Sequence, residues 1–183
     1  MVRKLIKIFS TFIATILFSI VTVLSQVQIK PFSLNDMIQP TIKKITEIKY
    51  ILTPKPNIDS LLLMEKELNS DDIVRPELYG LAFDYSLDLI NEGTWDSLDN
   101  GDRICRFIIK CPDAYSINLH FIKLNIAKSS YIFFYNLSSK FFVGPFTHTV
   151  NKSHGKYTTS SLKGNEIIVE LYESKYDIGK NTL

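Results

Sequence analysis

The sequence predicts a mainly β protein, an antiparallel β-sandwich of the jelly-roll type with an N-terminal signal helix and one further short helix. The aromatic residues favour β structure, because the 12 Phe, 9 Tyr and 1 Trp fall mostly in runs of alternating polarity. About seven such runs follow residue 77, and turn-forming residues separate them. A hydrophobic content of 45% is enough for a packed core, so we expect a folded domain rather than a disordered chain.

The N-terminal 25 residues have the order of a signal peptide. Residues 1–7 are basic, and no charged residue occurs between positions 8 and 29. Small or β-branched residues at positions 23 and 25 predict cleavage between Ser25 and Gln26. The alternative is a retained segment that anchors the protein in a membrane through residues 8–25. In both cases the rest of the chain leaves the cytoplasm, and we expect it to be secreted or held at the cell envelope.

Residues 26–76 form an N-terminal extension that no long element can cross, because prolines interrupt it at positions 31, 40, 54, 56 and 76. A short helix is predicted over residues 60–68, with Asp59 as its N-cap. Isoleucines at positions 42, 45 and 48 fit either a helical turn or the start of a strand that runs to Leu52. Their spacing does not separate these two possibilities. A polar loop is expected over residues 69–76.

The β-sandwich is predicted to occupy residues 77–183, with a start as early as residue 41. Alternation of apolar and polar residues predicts strands over 81–89, 104–110, 117–121, 131–135, 141–143, 156–160 and 166–172. Turns are expected at 91–93, 99–102, 128–130, 144–145 and 163–165. Residues 131–135 are apolar throughout, so we expect that strand to be central and buried on both faces.

The core between two sheets is predicted from strand parity, since alternate residues of a strand point to the same face. His120 is expected on the solvent face of its strand, opposite Phe121. The side chains predicted to face inwards are Trp95, Phe107, Ile109, Leu119, Phe121, Phe133 and Val169. For Trp95 the alternative is a ligand-binding platform, but a lone Trp in a sandwich more often fills the core.

No catalytic residue, cofactor site or metal site is predicted. The sequence contains no G-x-S-x-G, H-E-x-x-H, Walker or G-x-G-x-x-G motif, and His120, His148 and His154 are expected to be solvated. Cys105 and Cys111 are six residues apart on one predicted strand, which separates their Cα atoms by about 20 Å. That distance excludes a disulfide unless Cys111 folds back at the following turn, so free thiols are expected.

Charge and short motifs add little evidence for a ligand. Six acidic residues in and beside the first predicted strand suggest a solvated surface, with a calcium site as the alternative: Asp84, Asp88, Glu92, Asp96, Asp99 and Asp102. Asn136 and Asn151 each begin an N-x-S glycosylation sequon, a pattern that often arises by chance.

The distribution of charge argues against a nucleic-acid partner. The formal net charge of the chain is +2 and residues 1–25 carry +3, which leaves 2 − 3 = −1 for residues 26–183. A nearly neutral chain without a basic run lacks the electrostatic footprint of nucleic-acid binding. Contact with a membrane is expected only through the N-terminal segment, if that segment is retained.

Six motifs follow one another between residues 93 and 172. They are Gly93-Thr-Trp95, Gly101-Asp-Arg103, Pro112-Asp-Ala114-Tyr-Ser116, Tyr131-Ile-Phe-Phe-Tyr135, Gly144-Pro145-Phe-Thr147, and Gly164-Asn-Glu166 followed by Glu170. Their order resembles the N-terminal region of secreted bacterial trypsin-like peptidases of the lysyl-endopeptidase type. In that family a β-sandwich precedes the catalytic domain. The resemblance covers about residues 41–183 and is sharpest over residues 93–147.

The resemblance implies a secreted, non-catalytic pro-region. Cys105 departs from the pattern where a larger aromatic residue is expected, and Asp113 replaces the glycine of a P-G-A turn. The histidine, aspartate and serine of the protease have no matching positions, so the chain would be a truncated product or a fragment of a longer protein. The implied partner is a trypsin-like protease domain, in cis within a longer chain or in trans.

Two other functions remain open at the level of sequence. One is an exported β-sandwich that binds a glycan or another surface protein through its loops. The other is a hydrolase in its own right, for which no nucleophile and base pair is recognisable.

Overall fold

A six-stranded sheet forms the centre of the protein in the computed structural model, which describes residues 29–31, 43–68, 80–138 and 141–183. The predicted signal segment 1–25, its cleavage site at Ser25 and Gln26, and the predicted loop 69–76 lie outside the described residues. By its contacts the chain divides into two units, Met1–Lys30 and Pro31–Leu183, and the fold below is that of the second unit.

The protein is mainly β, as the sequence predicts. Ten strands are described: β1 (Tyr50–Leu52), β2 (Thr94–Ser97), β3 (Arg103–Lys110), β4 (Ser116–Ile117), β5 (His120–Phe121), β6 (Tyr131–Asn136), β7 (Phe141–Phe146), β8 (Tyr157–Thr158), β9 (Leu162–Lys163) and β10 (Glu166–Glu173). Two α-helices accompany them, α1 (Ile58–Leu68) and α2 (Leu89–Glu92), together with 3₁₀ turns at Ile45–Glu47 and His148–Val150.

The main sheet has the strand order β1-β3-β10-β6-β7, and β2 pairs with β3 beside β1. All of its pairs are antiparallel except β1 with β3, which is parallel. The expectation of a purely antiparallel arrangement is therefore wrong at this edge. A parallel pair needs a long crossover connection, and the roughly 50 residues from β1 to β3 contain α1 and α2. Two small ladders, β4–β9 and β5–β8, lie outside the main sheet.

Both faces of the main sheet carry a hydrophobic cluster. On the first face the buried members include Cys105, Phe107, Ile109, Ile132, Phe134, Ile167, Val169 and Leu171. On the second face they are Ile48, Ile108, Phe133, Tyr135 and Ile168. Strands β3, β6 and β10 are almost wholly buried, so the prediction of a central strand over residues 131–135 is confirmed.

One predicted strand, residues 81–89, is wrong. Residues 81–88 form no ladder, and Leu81, Phe83 and Tyr85 are each at least 40% exposed. An alternating sequence needs a neighbouring strand to become a strand, and β1 and β2 already occupy the outer edge of β3. The predicted turn at 91–93 is instead the end of α2. Asp88 caps this helix through Oδ1, which accepts hydrogen bonds from two backbone N–H groups.

Several other elements differ from their predicted lengths. The run 117–121 is divided into β4 and β5, and 156–160 shortens to β8. The run 141–143 lengthens to β7, which continues through Gly144 and Pro145 with a register shift opposite β6. The turns at 99–102, 128–130 and 163–165 are confirmed, and Gly101 and Gly164 adopt φ values of 85° and 116° that favour glycine.

The N-terminal extension combines the two possibilities left open by its isoleucines. A 3₁₀ turn over Ile45–Glu47 leads directly into β1. Helix α1 agrees with the predicted helix 60–68, but Asp59 is not its cap. Asn57 takes that place, because its Oδ1 accepts a hydrogen bond of 3.1 Å from the Ser60 N–H, and Asp59 lies in the first turn.

The predicted core is correct for most positions. Phe107, Ile109 and Val169 are buried together on the first face, and Trp95, Leu119 and Phe121 pack half-buried against them. The prediction for Phe133 is wrong, because this side chain belongs to the cluster on the second face and not to the first-face cluster with the other predicted core residues. Strand β6 is buried on both faces, so the sequence provides no polar residue to fix its parity. His120 is exposed, as predicted.

We predict that Phe134→Ala lowers the free energy of unfolding by about 3–5 kcal/mol, because this side chain is completely buried. Phe83→Ala should cost less than about 1 kcal/mol, because Phe83 is 40% exposed in a segment without a ladder. Urea denaturation of the two variants measures both values. Equal losses would contradict the irregular structure of residues 81–88.

Candidate functional site

The three histidines do not form a reactive centre. All are exposed, and His120 and His154 each have one hydrogen bond at Nδ1, with Thr158 Oγ1 at 2.6 Å and with the Lys156 N–H at 3.0 Å. Within the described ranges, no group of three His, Cys, Asp or Glu side chains is arranged to hold a metal ion. The other chemically distinctive groups of the described residues are buried charges and exposed apolar or basic side chains.

The two cysteines are free thiols, as the sequence predicts. Cys105 is buried on the first face, and its Sγ donates to the Leu89 carbonyl at 3.2 Å. Burial raises the pKa of this thiol to about 12, so it stays protonated at neutral pH and is a poor nucleophile. The position where a larger aromatic residue is expected is thus filled by a thiol packed against α2.

A buried charged cluster lies on the second face of the main sheet. Arg106 and Asp96 form an ion pair of 2.6 Å, and both side chains are at most 2% exposed. Glu170 lies directly opposite Arg106 in the β3–β10 register, and its Oε2 accepts a hydrogen bond of 2.8 Å from Tyr135. Buried charges are costly unless they are paired, and the ion pair of Arg106 with Asp96 offsets part of that cost.

This charged cluster also fixes the extension to the sheet. The Lys43 backbone donates to Asp96 Oδ1 at 3.0 Å and accepts from Arg106 at 2.8 Å. Six residues later the Lys49 N–H donates to Thr94 Oγ1 at 2.9 Å. Residues 43–49 are therefore bound to the sheet through backbone groups, which places β1 beside β3.

A second polar cluster is centred on Asp102 at the β2–β3 turn. Tyr172 donates to its Oδ2, Asn100 donates to the same oxygen at 2.6 Å, and the Lys175 N–H donates to Oδ1 at 2.8 Å. The Tyr172 hydroxyl and then the Lys175 backbone lower the pKa of Asp102. Burial and the bond to Asp102 raise the pKa of Tyr172 to about 12, and its ring stacks on Tyr131 at 4.5 Å.

These two clusters correct the prediction of a solvated acidic surface for two of its six residues, Asp96 and Asp102. The other four are exposed, as predicted: Asp84, Asp88, Glu92 and Asp99. Asp96 is 4% exposed and Asp102 is 8% exposed, and both carboxylates are occupied by partners. Asp88 is the N-cap of α2. A calcium site is not supported either, since no metal-holding group is found among the described residues.

A third cluster surrounds Glu173, which is fully buried at the end of β10. It pairs with Arg103, whose guanidinium lies 4.2 Å from the centre of the Trp95 ring. Its other oxygen accepts from Asn181 at 3.0 Å, and Asn181 in turn accepts from the Ala127 N–H at 2.8 Å. The C-terminal segment is joined to the sheet in this way.

Trp95 is half-buried, and its Nε1 donates a hydrogen bond to the Ile90 carbonyl. These contacts support a place for Trp95 in the core rather than a role as a ligand-binding platform.

Three of the motif glycines, Gly93, Gly144 and Gly164, occupy positions where a side chain does not fit. A Cβ on Gly93 would lie 2.2 Å from Cys105 Sγ, and one on Gly164 would lie 2.4 Å from Asn136 Nδ2. A Cβ on Gly144, which has φ of 123°, would lie 2.7 Å from the Phe133 ring. These motif residues therefore determine backbone packing.

The other motif residues are also in turns and ladders. Pro112 begins a turn in which Asp113 has φ of 62°, the conformation that favours the glycine it replaces, and Ala114 packs on the first face. Ser116 pairs with Lys163 in the β4–β9 ladder. Pro145 lies exposed within β7, and Thr147 caps the second 3₁₀ turn.

Both sequon asparagines use their side-chain amides in hydrogen bonds of the folded protein. Asn136 is 4% exposed, and its Nδ2 donates to the Glu166 carbonyl at 2.7 Å. Asn151 Nδ2 donates to the Ile126 carbonyl at 2.9 Å, and its Oδ1 accepts from the Ile126 N–H at the same distance. Both amide groups hold loops together.

Sequence reasoning missed a set of exposed apolar side chains in β1 and α1, two elements that follow each other in the chain. Its members are Tyr50, Leu52, Ile58, Leu62 and Leu63, each between 49% and 62% exposed. Ile58 and Leu62 are one turn apart and share one side of α1. The signal was present in the sequence, since apolar residues outnumber charged ones in this helix. We call these five residues the α1–β1 surface.

Comparisons with protein-family models, with curated proteins and with solved structures return no match for this chain. Among the described residues, neither helix has the length and apolar character needed to cross a bilayer.

We predict that the Asp102 carboxylate stabilises the fold above about pH 4, the ordinary pKa of an Asp side chain, and that this contribution is lost as pH falls through the lowered pKa of the folded state. Tyr172→Phe removes the hydrogen bond that contributes most to the lowered pKa. The variant should therefore lose less stability than the parent between pH 7 and pH 3 in urea denaturation. An unchanged loss of stability would contradict the assignment.

Proposed function

We propose that this chain is an exported, non-catalytic β-sandwich related to the pro-region of trypsin-like peptidases of the lysyl-endopeptidase type. The observation that carries the proposal is the position of the motif residues. Gly93, Gly144 and Gly164 allow close backbone packing, and Trp95 with Arg103 joins β2 and β3 to the buried Glu173. The residues that carry the resemblance therefore specify a scaffold and not a reaction centre.

The arrangement of the small ladders supports a sandwich. Ile117 and Leu162 from the β4–β9 ladder belong to the first-face cluster, and Phe121 and Tyr157 from the β5–β8 ladder pack against it. Phe121 also contacts Phe134 of the main sheet, with ring centres 5.8 Å apart. This packing supports the proposal that the two ladders form a second layer over the first face of the main sheet.

The α1–β1 surface supports a protein partner. Its five exposed apolar residues come from one short stretch of chain, and β1 is the terminal strand of the main sheet among the described strands. Exposed apolar side chains next to a strand edge are typical of surfaces that bind another protein. The proposed partner is a trypsin-like protease domain, in cis or in trans, whose folding this surface assists or whose cleft it blocks.

Export is tested by the N-terminus of the mature protein. The order of basic, apolar and small residues in positions 1–25 predicts that exported material begins at Gln26 or within a few residues of it. N-terminal sequencing of the protein from the medium or envelope measures this. An intact Met1 in a membrane fraction would contradict cleavage and support the anchor.

The activity test combines two measurements on the exported protein. We expect no hydrolysis of peptide or ester substrates above background, because no nucleophile and base pair is recognisable. We also expect the protein to slow a lysyl-endopeptidase catalytic domain, or to raise its refolding yield, when the two are mixed.

Two matched variants connect this effect to the proposed surface. Leu62→Glu should abolish the effect on the peptidase, because it places a charge within the α1–β1 surface. Ser161→Glu also introduces a glutamate at an exposed position, but in the loop between β8 and β9 and not in the α1–β1 surface, so it should retain the effect. Hydrolysis that disappears with a single Ser or His substitution would overturn the non-catalytic proposal, and equal behaviour of Leu62→Glu and Ser161→Glu would overturn the surface.

A further inference from the structure

The segment from residue 114 to residue 165 contains no Asp or Glu, although the whole chain has 19 acidic residues. It contains six lysines and all three histidines: Lys123, Lys128, Lys140, Lys152, Lys156, Lys163, His120, His148 and His154. The five lysines of this set that the structure describes are exposed, and none forms an ion pair with a described residue. Residues 114–165 therefore carry a positive charge that no acidic side chain of the same segment offsets.

Two loops of this segment lie against each other at the end of the β5–β8 ladder. Phe121 pairs with Tyr157, and the loops 122–126 and 151–156 extend beyond this pair. The Leu124 N–H donates to the Gly155 carbonyl at 2.6 Å. A Cβ on Gly155 would lie only 3.7 Å from the Lys123 Cα, so the two backbones are in close contact.

Asn151 fixes the two loops relative to each other. Its side chain bonds both the N–H and the carbonyl of Ile126, and its Nδ2 also donates to Asn125 Oδ1 at 3.2 Å. The second loop closes on itself through a hydrogen bond of 2.9 Å from the Gly155 N–H to the Lys152 carbonyl. The lysines on these loops are therefore presented by a bonded framework.

Ile122 is 69% exposed at this position, next to Lys123. We call Ile122, Lys123, Lys152, His154 and Lys156 the basic tip. An exposed apolar side chain among lysines is the composition of surfaces that bind anionic lipid, where the apolar group enters the interface and the ammonium groups meet phosphate. A hydrated polyanion would gain nothing from Ile122.

The cation type also favours a lipid surface over a nucleic acid or an acidic glycan. Residues 114–165 contain no arginine, the side chain that recognises phosphate and carboxylate in a bidentate manner. Lysine is a point charge that suits a diffuse anionic surface. The nearby Tyr157 is half-buried, and its ring packs on Phe146, so it is not a stacking platform.

We propose that the basic tip binds the exported protein to the surface of an anionic lipid bilayer, with Ile122 entering the headgroup region. This inference goes beyond the proposed function and uses a different surface from α1–β1. It also goes beyond the sequence-based expectation, in which only the N-terminal segment meets a membrane.

The test is co-sedimentation of the exported protein with vesicles of phosphatidylcholine, either alone or mixed with phosphatidylglycerol. We expect binding to the mixed vesicles at low salt, weaker binding at high salt, and none to the neutral vesicles. Lys156→Gln should weaken the partition about fivefold, which is the effect of one lysine near an anionic surface. Ile122→Ser should weaken it about tenfold.

Lys163→Gln is the matched control, because it removes the same charge from the same acid-free segment but lies in the β4–β9 ladder, where Lys163 pairs with Ser116, and not in the loops of the basic tip. It should change the partition less than twofold. Circular dichroism of each variant verifies folding, which is expected because all three side chains are exposed.

Three outcomes would overturn the proposal. If Lys156→Gln and Lys163→Gln weakened vesicle binding equally, the binding would depend on net charge alone and not on the basic tip. If the protein bound neutral vesicles as strongly as the mixed anionic vesicles, the lysines would not contribute to binding through their charge. Binding to soluble heparin that Ile122→Ser retains in full, together with unchanged vesicle binding of that variant, would indicate a polyanion site instead. The peptidase assay is independent of all three outcomes, so the two proposals can fail separately.

Discussion

The fold depends on the burial of strand β10 between β3 and β6. This strand pairs with β3 along its whole length, and six of its eight residues are buried. Its sequence nevertheless includes Glu170 and Glu173, both buried. Since a buried carboxylate is tolerated only with partners, the surrounding structure has to provide them. Much of the remaining architecture follows from this requirement.

The partners of these charges hold the two ends of the domain in place. On the second face, Arg106 lies opposite Glu170 and also binds Asp96 and the backbone of Lys43, which brings the extension against the sheet. At the end of β10, Glu173 binds Arg103 and the C-terminal segment through Asn181. Polar groups inside the sheet thus determine where the flanking segments lie, and hydrophobic burial alone would not specify those positions.

The buried polar groups and the exposed surfaces of the molecule differ in the roles that we assign to them. Reactive groups such as Cys105, Asp96 and Asp102 are buried or bonded, so they stabilise the scaffold. The two surfaces proposed for recognition are exposed: the α1–β1 surface is apolar, and the basic tip is positively charged. The two proposals rest on these different surfaces, and a protein that joins a partner domain to an anionic surface would need both.

The sequence by itself determined the β class, the central strand 131–135, the helix at 60–68, the free thiols and most of the core, because strand parity and turn residues are local signals. It did not determine that residues 81–88 lack a ladder, that Phe133 faces the second cluster, or that Asp96 and Asp102 are buried. Those outcomes depend on which strands become neighbours and which charges meet across the sheet. Such contacts join residues far apart in the chain, so only the tertiary structure decided them.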